Sequence, residues 1–108
     1  MDDKKALKIA NYFLKDMNPN MWDGKENIDP EQIHLDTRIW EERNVIDNTA
    51  LWINFEPSQY GWRTCIELID DPLRDDPFCL DETYVYGIDS PQNIAGGIME
   101  ICERYNKY

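Results

Sequence analysis

Residues 49–69, TALWINFEPSQYGWRTCIELI, decide the fold. Up to Glu56, Leu51, Ile53 and Phe55 fall on one side of the chain, and Trp52, Asn54 and Glu56 on the other. A period of two is the pattern of a strand with one buried and one open face. Pro57-Ser58-Gln59-Tyr60-Gly61 is a connection of hairpin length. Alternation then resumes, with Trp62, Thr64, Ile66 and Leu68 set against Arg63, Cys65 and Glu67. Sequence-adjacent strands joined by so short a turn pair antiparallel.

Further strands are expected on both sides. Upstream, Ile33, Leu35, Thr37 and Ile39 alternate with His34, Asp36 and Arg38, after which residues 41–48 read as a polar connection. Downstream, residues 83–88 (TYVYGI) are β-branched and aromatic, the composition of a fourth strand. Helices bracket this block. Over residues 3–17, Ala6, Leu7, Ala10, Phe13, Leu14 and Met17 recur at helical steps. Asp2 and Asp3 complement the dipole at its start, and Asn18-Pro19-Asn20 ends it. Residues 19–31, with two Pro and one Gly, read as loop. Ser90 as N-cap and Pro91 in the first turn open a second helix, whose stripe is Ile94, Ile98, Ile101, Cys102 and Tyr105. Gly96 and Gly97 each cost a helix about 1 kcal/mol relative to Ala, which predicts close approach to a neighbour. The expected fold is α+β: one domain over residues 1–108, with an N-terminal helix, a three- to four-stranded mainly antiparallel sheet and a C-terminal helix. Both helices lie on one face of the sheet, which leaves the other to solvent or a partner.

The chain of 108 residues carries 22 Asp and Glu against 11 Lys and Arg, a formal charge of -11. Its 42% hydrophobic and 12% aromatic content is too high for a disordered acidic tail. No apolar run approaches the ~20 residues that span a bilayer, and Met1-Asp2-Asp3-Lys4-Lys5 is no secretory leader. Cys65, Cys79 and Cys102 are odd in number and widely spaced, as reduced thiols are. The expectation is a cytoplasmic protein with no membrane role. Such a charge repels phosphates and excludes direct nucleic-acid binding, while it attracts a basic protein or a divalent cation.

Residues 70–82, DDPLRDDPFCLDE, repeat Asp-Asp-Pro and read as a long connection in which two prolines exclude a central strand. Phe78, Cys79 and Leu80 are expected to tether it. From Glu67 to Asp89, eight carboxylates meet a single base, Arg74. A solvated loop, a docking surface and a cation site compete as readings. Counted from Asp71, a calcium loop finds Asp75 and Glu82 at positions 5 and 12, but Leu73 at 3 and Asp76 at 6 break the pattern. His34 and the three cysteines show no C-x₂-C spacing for zinc. Neither a metal nor a cofactor is expected. With no phosphate-cradling Gly-rich loop, G-x-S-x-G or H-E-x-x-H, no catalytic residue is assigned.

Trp40, Trp52, Trp62, Tyr84 and Tyr86 lie in or beside the expected strands. Alternation turns Trp52 outward with Asn54 and Glu56, and puts Trp40 on the side of His34, Asp36 and Arg38. Trp and Tyr among carboxylates match the anchors of protein interfaces; the competing reading is a minor core beneath residues 70–82. The functional expectation is a non-enzymatic binding module, a small acidic inhibitor of the immunity or phage counter-defence type. Its carboxylates would stand in for phosphates on the basic, nucleic-acid-binding surface of a partner protein. The candidate contact residues are Asp70, Asp71, Asp75, Asp76, Asp81, Glu82, Trp52 and Glu56. The alternatives are an adaptor or structural subunit that homodimerises through the outer sheet face, and a small divalent-metal-dependent enzyme.

Overall fold

A computed structural model describes residues 1–17, 39–43, 45–46, 48–58, 61–86 and 90–106. Helix α1 spans Asp3–Met17. The Asp2 carboxylate caps it by accepting the Lys5 N–H at 2.7 Å. Ala6, Ile9, Ala10 and Phe13 are its buried residues, while Leu7 and Leu14 are partly buried at the margin. Ile9 thus joins a stripe that the three- and four-residue count leaves it out of.

Four strands form one antiparallel sheet in the order β1-β2-β3-β4: β1 (Trp40–Arg43), β2 (Ala50–Ser58), β3 (Gly61–Ile69) and β4 (Cys79–Tyr86). The hairpin of residues 49–69 is as expected, but its strands are longer. Pairing runs to Ser58 opposite Gly61, so Pro57, Ser58 and Gly61 belong to strands and not to the turn. β1 pairs with β2 only over Ala50–Ile53. At Pro57, β2 is therefore an edge on that side among the described residues, and the missing N–H removes no ladder bond there.

Two boundaries differ further from expectation. Residues 40–43 form β1, where the composition suggested part of a polar connection. It is a short edge strand whose Glu41 and Arg43 are exposed, and charge is a common protection of sheet edges. The strand expected upstream lies outside the described residues except for Ile39, which is exposed and precedes β1. The loop expected at 19–31, and His34, also lie outside them. β4 begins at Cys79, four residues before the expected Thr83. A register shift at Leu68/Ile69 brings Cys79 opposite Ile69, and both prolines fit in the nine-residue loop that remains, residues 70–78.

Helix α2 spans Pro91–Tyr105, with Pro in its first turn and the Ser90 side chain accepting the Asn93 N–H at 3.2 Å. The adjacent glycines differ. A methyl group at Gly97 would lie 2.6 Å from Val85 Cγ2 and 2.9 Å from Ile66 Cδ1, whereas nothing lies within 4 Å of one at Gly96. Only Gly97 serves the close approach of helix and sheet.

Both helices cover the same face. Leu51, Ile53, Phe55, Ile66 and Leu68 from the sheet join Ala6, Ile9, Ala10, Phe13, Ile94, Ile98 and Ile101 in one buried cluster. The Phe13 and Phe55 rings are 4.8 Å apart and tilted by 46°. Thr64 is fully buried on this side, and its hydroxyl has no hydrogen-bond partner among the described residues. Among the described residues no helix is long and apolar enough to cross a membrane.

Candidate functional site

Since side chains alternate across a strand, covering Leu51, Ile53 and Phe55 with helices turns Trp52, Asn54 and Glu56 to the opposite face. Among the rows that the registers build there, three carry its acidic and aromatic side chains. Glu41, Trp52, Glu67 and Glu82 lie side by side across all four strands. The next row is Asn54, Cys65 and Tyr84, and the third is Glu56, Arg63 and Tyr86. Tyr84 and Tyr86 are 39% and 47% exposed, while Trp52 is half-buried.

The third row is electrostatically closed. Arg63 Nη2 lies 2.6 Å from Glu56 Oε1, and its guanidinium stacks on the Tyr84 ring, 3.7 Å from the centroid. At the other end of the sheet, Glu41 accepts hydrogen bonds from Arg43 Nε at 2.5 Å and from the Trp52 indole N–H at 2.8 Å. The Arg43 bond and then the indole bond hold its carboxyl below the ordinary carboxylate value.

Glu67 and Glu82 have no such answer: neither forms an ion pair among the described residues. The Glu82 carbonyl accepts from Arg104 Nη2 at 3.1 Å, and its N–H donates to Asp81 Oδ1 at 2.9 Å. The Glu82 backbone thus faces the open edge of β4, which makes Glu67–Glu82 the closer, non-hydrogen-bonded kind of cross-strand pair. Cys65, buried beneath them, donates its thiol to Glu67 Oε1 at 3.6 Å. Burial first, and then the charges of Glu56, Glu67 and Glu82, push this thiol far above its ordinary range. Ligand atoms of Cys65, Glu67 and Glu82 lie within 4.8 Å of one another. A cation there would meet two carboxylates and a thiol that must give up its proton before it can ligate.

The eight residues expected from sequence separate into groups. Trp52, Glu56 and Glu82 share the outer face. Asp70 closes the 70–78 loop instead: its carboxylate accepts N–H bonds from Asp71 at 2.7 Å and Phe78 at 2.8 Å, and pairs with Arg74 at 2.6 Å. The Phe78 N–H is the leading cause holding its carboxyl below the usual range. Asp71 accepts the Leu73 N–H at 3.0 Å. The tether is therefore Asp70 and not Phe78 and Leu80, which are exposed. Asp75 and Asp76 stand exposed in the loop, with no ion pair among the described residues. Asp81 turns to the helix side, where Arg104 Nε and Nη2 grip its two oxygens at 2.9 and 3.2 Å.

Glu41 and Glu67 belong to the face but were not candidate contact residues: Glu41 lies outside the acidic stretch, and Glu67 stands at its start. Alternation already set Glu67 on the side of Arg63; what it lacked was the register of β4, which brings Glu82 beside it. Trp40 corrects the expected aromatic face, since it pairs with Ile53 and packs partly buried against the core, its indole N–H without a partner among the described residues. Comparison of the chain with protein-family models, with curated proteins and with solved structures gives no match.

Proposed function

We propose that this protein is a non-enzymatic binding module whose outer sheet face docks on a basic surface of a partner protein. The observation that supports it most is the row Glu41–Trp52–Glu67–Glu82, continued by exposed Tyr84 and Tyr86. Like charges directly opposite each other destabilise a sheet, so folding alone gains nothing from Glu67 beside Glu82. A cationic partner turns that repulsion into attraction, and aromatic side chains beside it supply buried anchors. With a net charge of -11 on the whole chain, long-range attraction to a nucleic-acid-binding surface follows. The biological form we favour is an inhibitor of the immunity or counter-defence type, acting in the cytoplasm, with carboxylates in place of phosphates. A homodimer through the same face is disfavoured, because a second copy brings the same carboxylates.

The test is capture on the immobilised protein at low salt, followed by association kinetics of the retained partner. The expected association rate falls by about one to two decades as salt is raised, as electrostatic steering requires. Reversing the row with Glu67→Lys and Glu82→Lys slows it in the same way. A rate indifferent to both salt and charge reversal sinks the proposal.

A further inference from the structure

We infer that the docking face receives an arginine side chain of its partner between Glu67 and Glu82, a reading that rests on the function proposed above and specifies what is recognised. The warrant is a comparison within the face itself. In one row a guanidinium is already present: Arg63 lies between Glu56 and Tyr86, paired at 2.6 Å with the carboxylate and stacked at 3.7 Å on Tyr84. Four residues and two rows along β3, Glu67 takes the place of Arg63 in a row that offers the same kinds of group, carboxylates and an aromatic ring. That row has Trp52 on one side of Glu67 and Glu82 on the other, with Tyr84 two residues along from Glu82. Among the described residues no cation is paired with Glu67 or Glu82: Arg43 is taken by Glu41, while Arg104 is paired with Asp81 and Glu100 and reaches the Glu82 backbone carbonyl.

The shape of the gap selects among cations. Glu67 and Glu82 stand on adjacent strands, so their oxygens approach a guest from two sides. A planar guanidinium, with five N–H donors in a fixed fork, can bond to both carboxylates at once and stack on neighbouring rings. An ammonium is a point charge that binds one carboxylate at a time and stays more strongly hydrated. The uncharged Cys65 thiol forms the floor, and its proton already serves Glu67. A divalent ion would have to displace that proton to gain a third ligand.

The experiment uses the whole protein with acetylated, amidated tetra-arginine and tetra-lysine peptides, followed by calorimetry at low salt. Tetra-arginine should bind about tenfold more tightly than tetra-lysine of equal charge, the margin expected of a bidentate, stacked contact. The double variant Glu67→Gln/Glu82→Gln should lose that preference. Asp75→Asn/Asp76→Asn, in the loop, should retain it. Circular dichroism confirms that each variant is folded. Equal binding of both peptides overturns the arginine reading and leaves the docking face standing. Failure of both peptides to bind defeats the two together. Binding of zinc or calcium chloride tighter than about millimolar, with loss of peptide binding, assigns the gap to a metal ion and overturns the inference.

Discussion

The two faces of one sheet have opposite chemistry. On the helix side Leu51, Ile53, Phe55, Ile66 and Leu68 are fully buried, with Thr64 buried among them. On the other side Glu41, Glu56, Glu67 and Glu82 share the surface with Arg63, Trp52 and two exposed tyrosines. The same backbone and the same hydrogen bonds support both. Apolar burial on one face supplies the free energy of folding, and the strands it locks then hold like charges side by side on the other. Folding energy and recognition chemistry are thus separated by the odd and even positions of each strand.

Substitutions on each side can break or sharpen this contrast. The largest effect is expected for Phe55→Ala, which empties the space against Phe13 and should destabilise by about 3–5 kcal/mol in urea denaturation. Tyr84→Ala, half-exposed on the other face, should have a much smaller effect in the same assay. Next is Thr64→Val, which removes the unpartnered hydroxyl while preserving shape. It should stabilise by roughly 1–2 kcal/mol, and a loss of stability would show that the hydroxyl is satisfied.

The neighbouring glycines come third. Gly97→Ala forces its methyl onto Val85 and Ile66 and should destabilise by about 1 kcal/mol once the gain in helix propensity is subtracted. Gly96→Ala meets open space and should stabilise by about 0.5–1 kcal/mol. Matching thermal shifts for the two would contradict the packing described for Gly97.

A fourth effect appears on titration. Cys65 and Cys79 on the sheet and Cys102 on α2 all have thiols pushed upward, in each case mainly by burial. Unfolded thiols ionise near about 8.5, so the stability these groups contribute is complete below that value. It is lost as pH rises toward their folded values, and acid does not affect it. Cys65→Ala should flatten that alkaline slope. The smallest effect is Glu82→Gln, which relieves repulsion with Glu67 and should raise stability by roughly a few tenths of a kcal/mol. It should also be the substitution that partner binding feels most strongly for its size.

Where sequence patterns were local, they carried the fold. Strict alternation at 51–56 and 63–68 announced both strands and their inner sides, and Ser90-Pro91 announced α2. The failures share a cause. β1 is a short edge strand made of Trp40, Glu41, Glu42 and Arg43, whose charges read as loop because propensity does not register an edge. β4 was read four residues late because Cys79–Glu82 follows two prolines, and the shift at Leu68/Ile69 that admits it to the sheet is a property of the pairing. The acidic run was legible as unusual, yet its members go four ways: Asp70 and Asp71 into loop geometry, Asp75 and Asp76 to the exposed loop surface, Asp81 to Arg104, and Glu82 to the outer face. Charge density along the chain says nothing about which side of a strand each carboxylate takes.

Arg104 has a consequence for the company the sheet keeps. An outermost strand presents unpaired N–H and C=O groups on which a foreign strand can grow, the first step toward fibrils. At Glu82 both are engaged, the carbonyl by the Arg104 guanidinium and the N–H by the Asp81 carboxylate that the same guanidinium holds. The last turn of α2 thereby plugs the open border of β4 at its middle, so a β-rich chain with two exposed tyrosines nearby is guarded against endless self-templating.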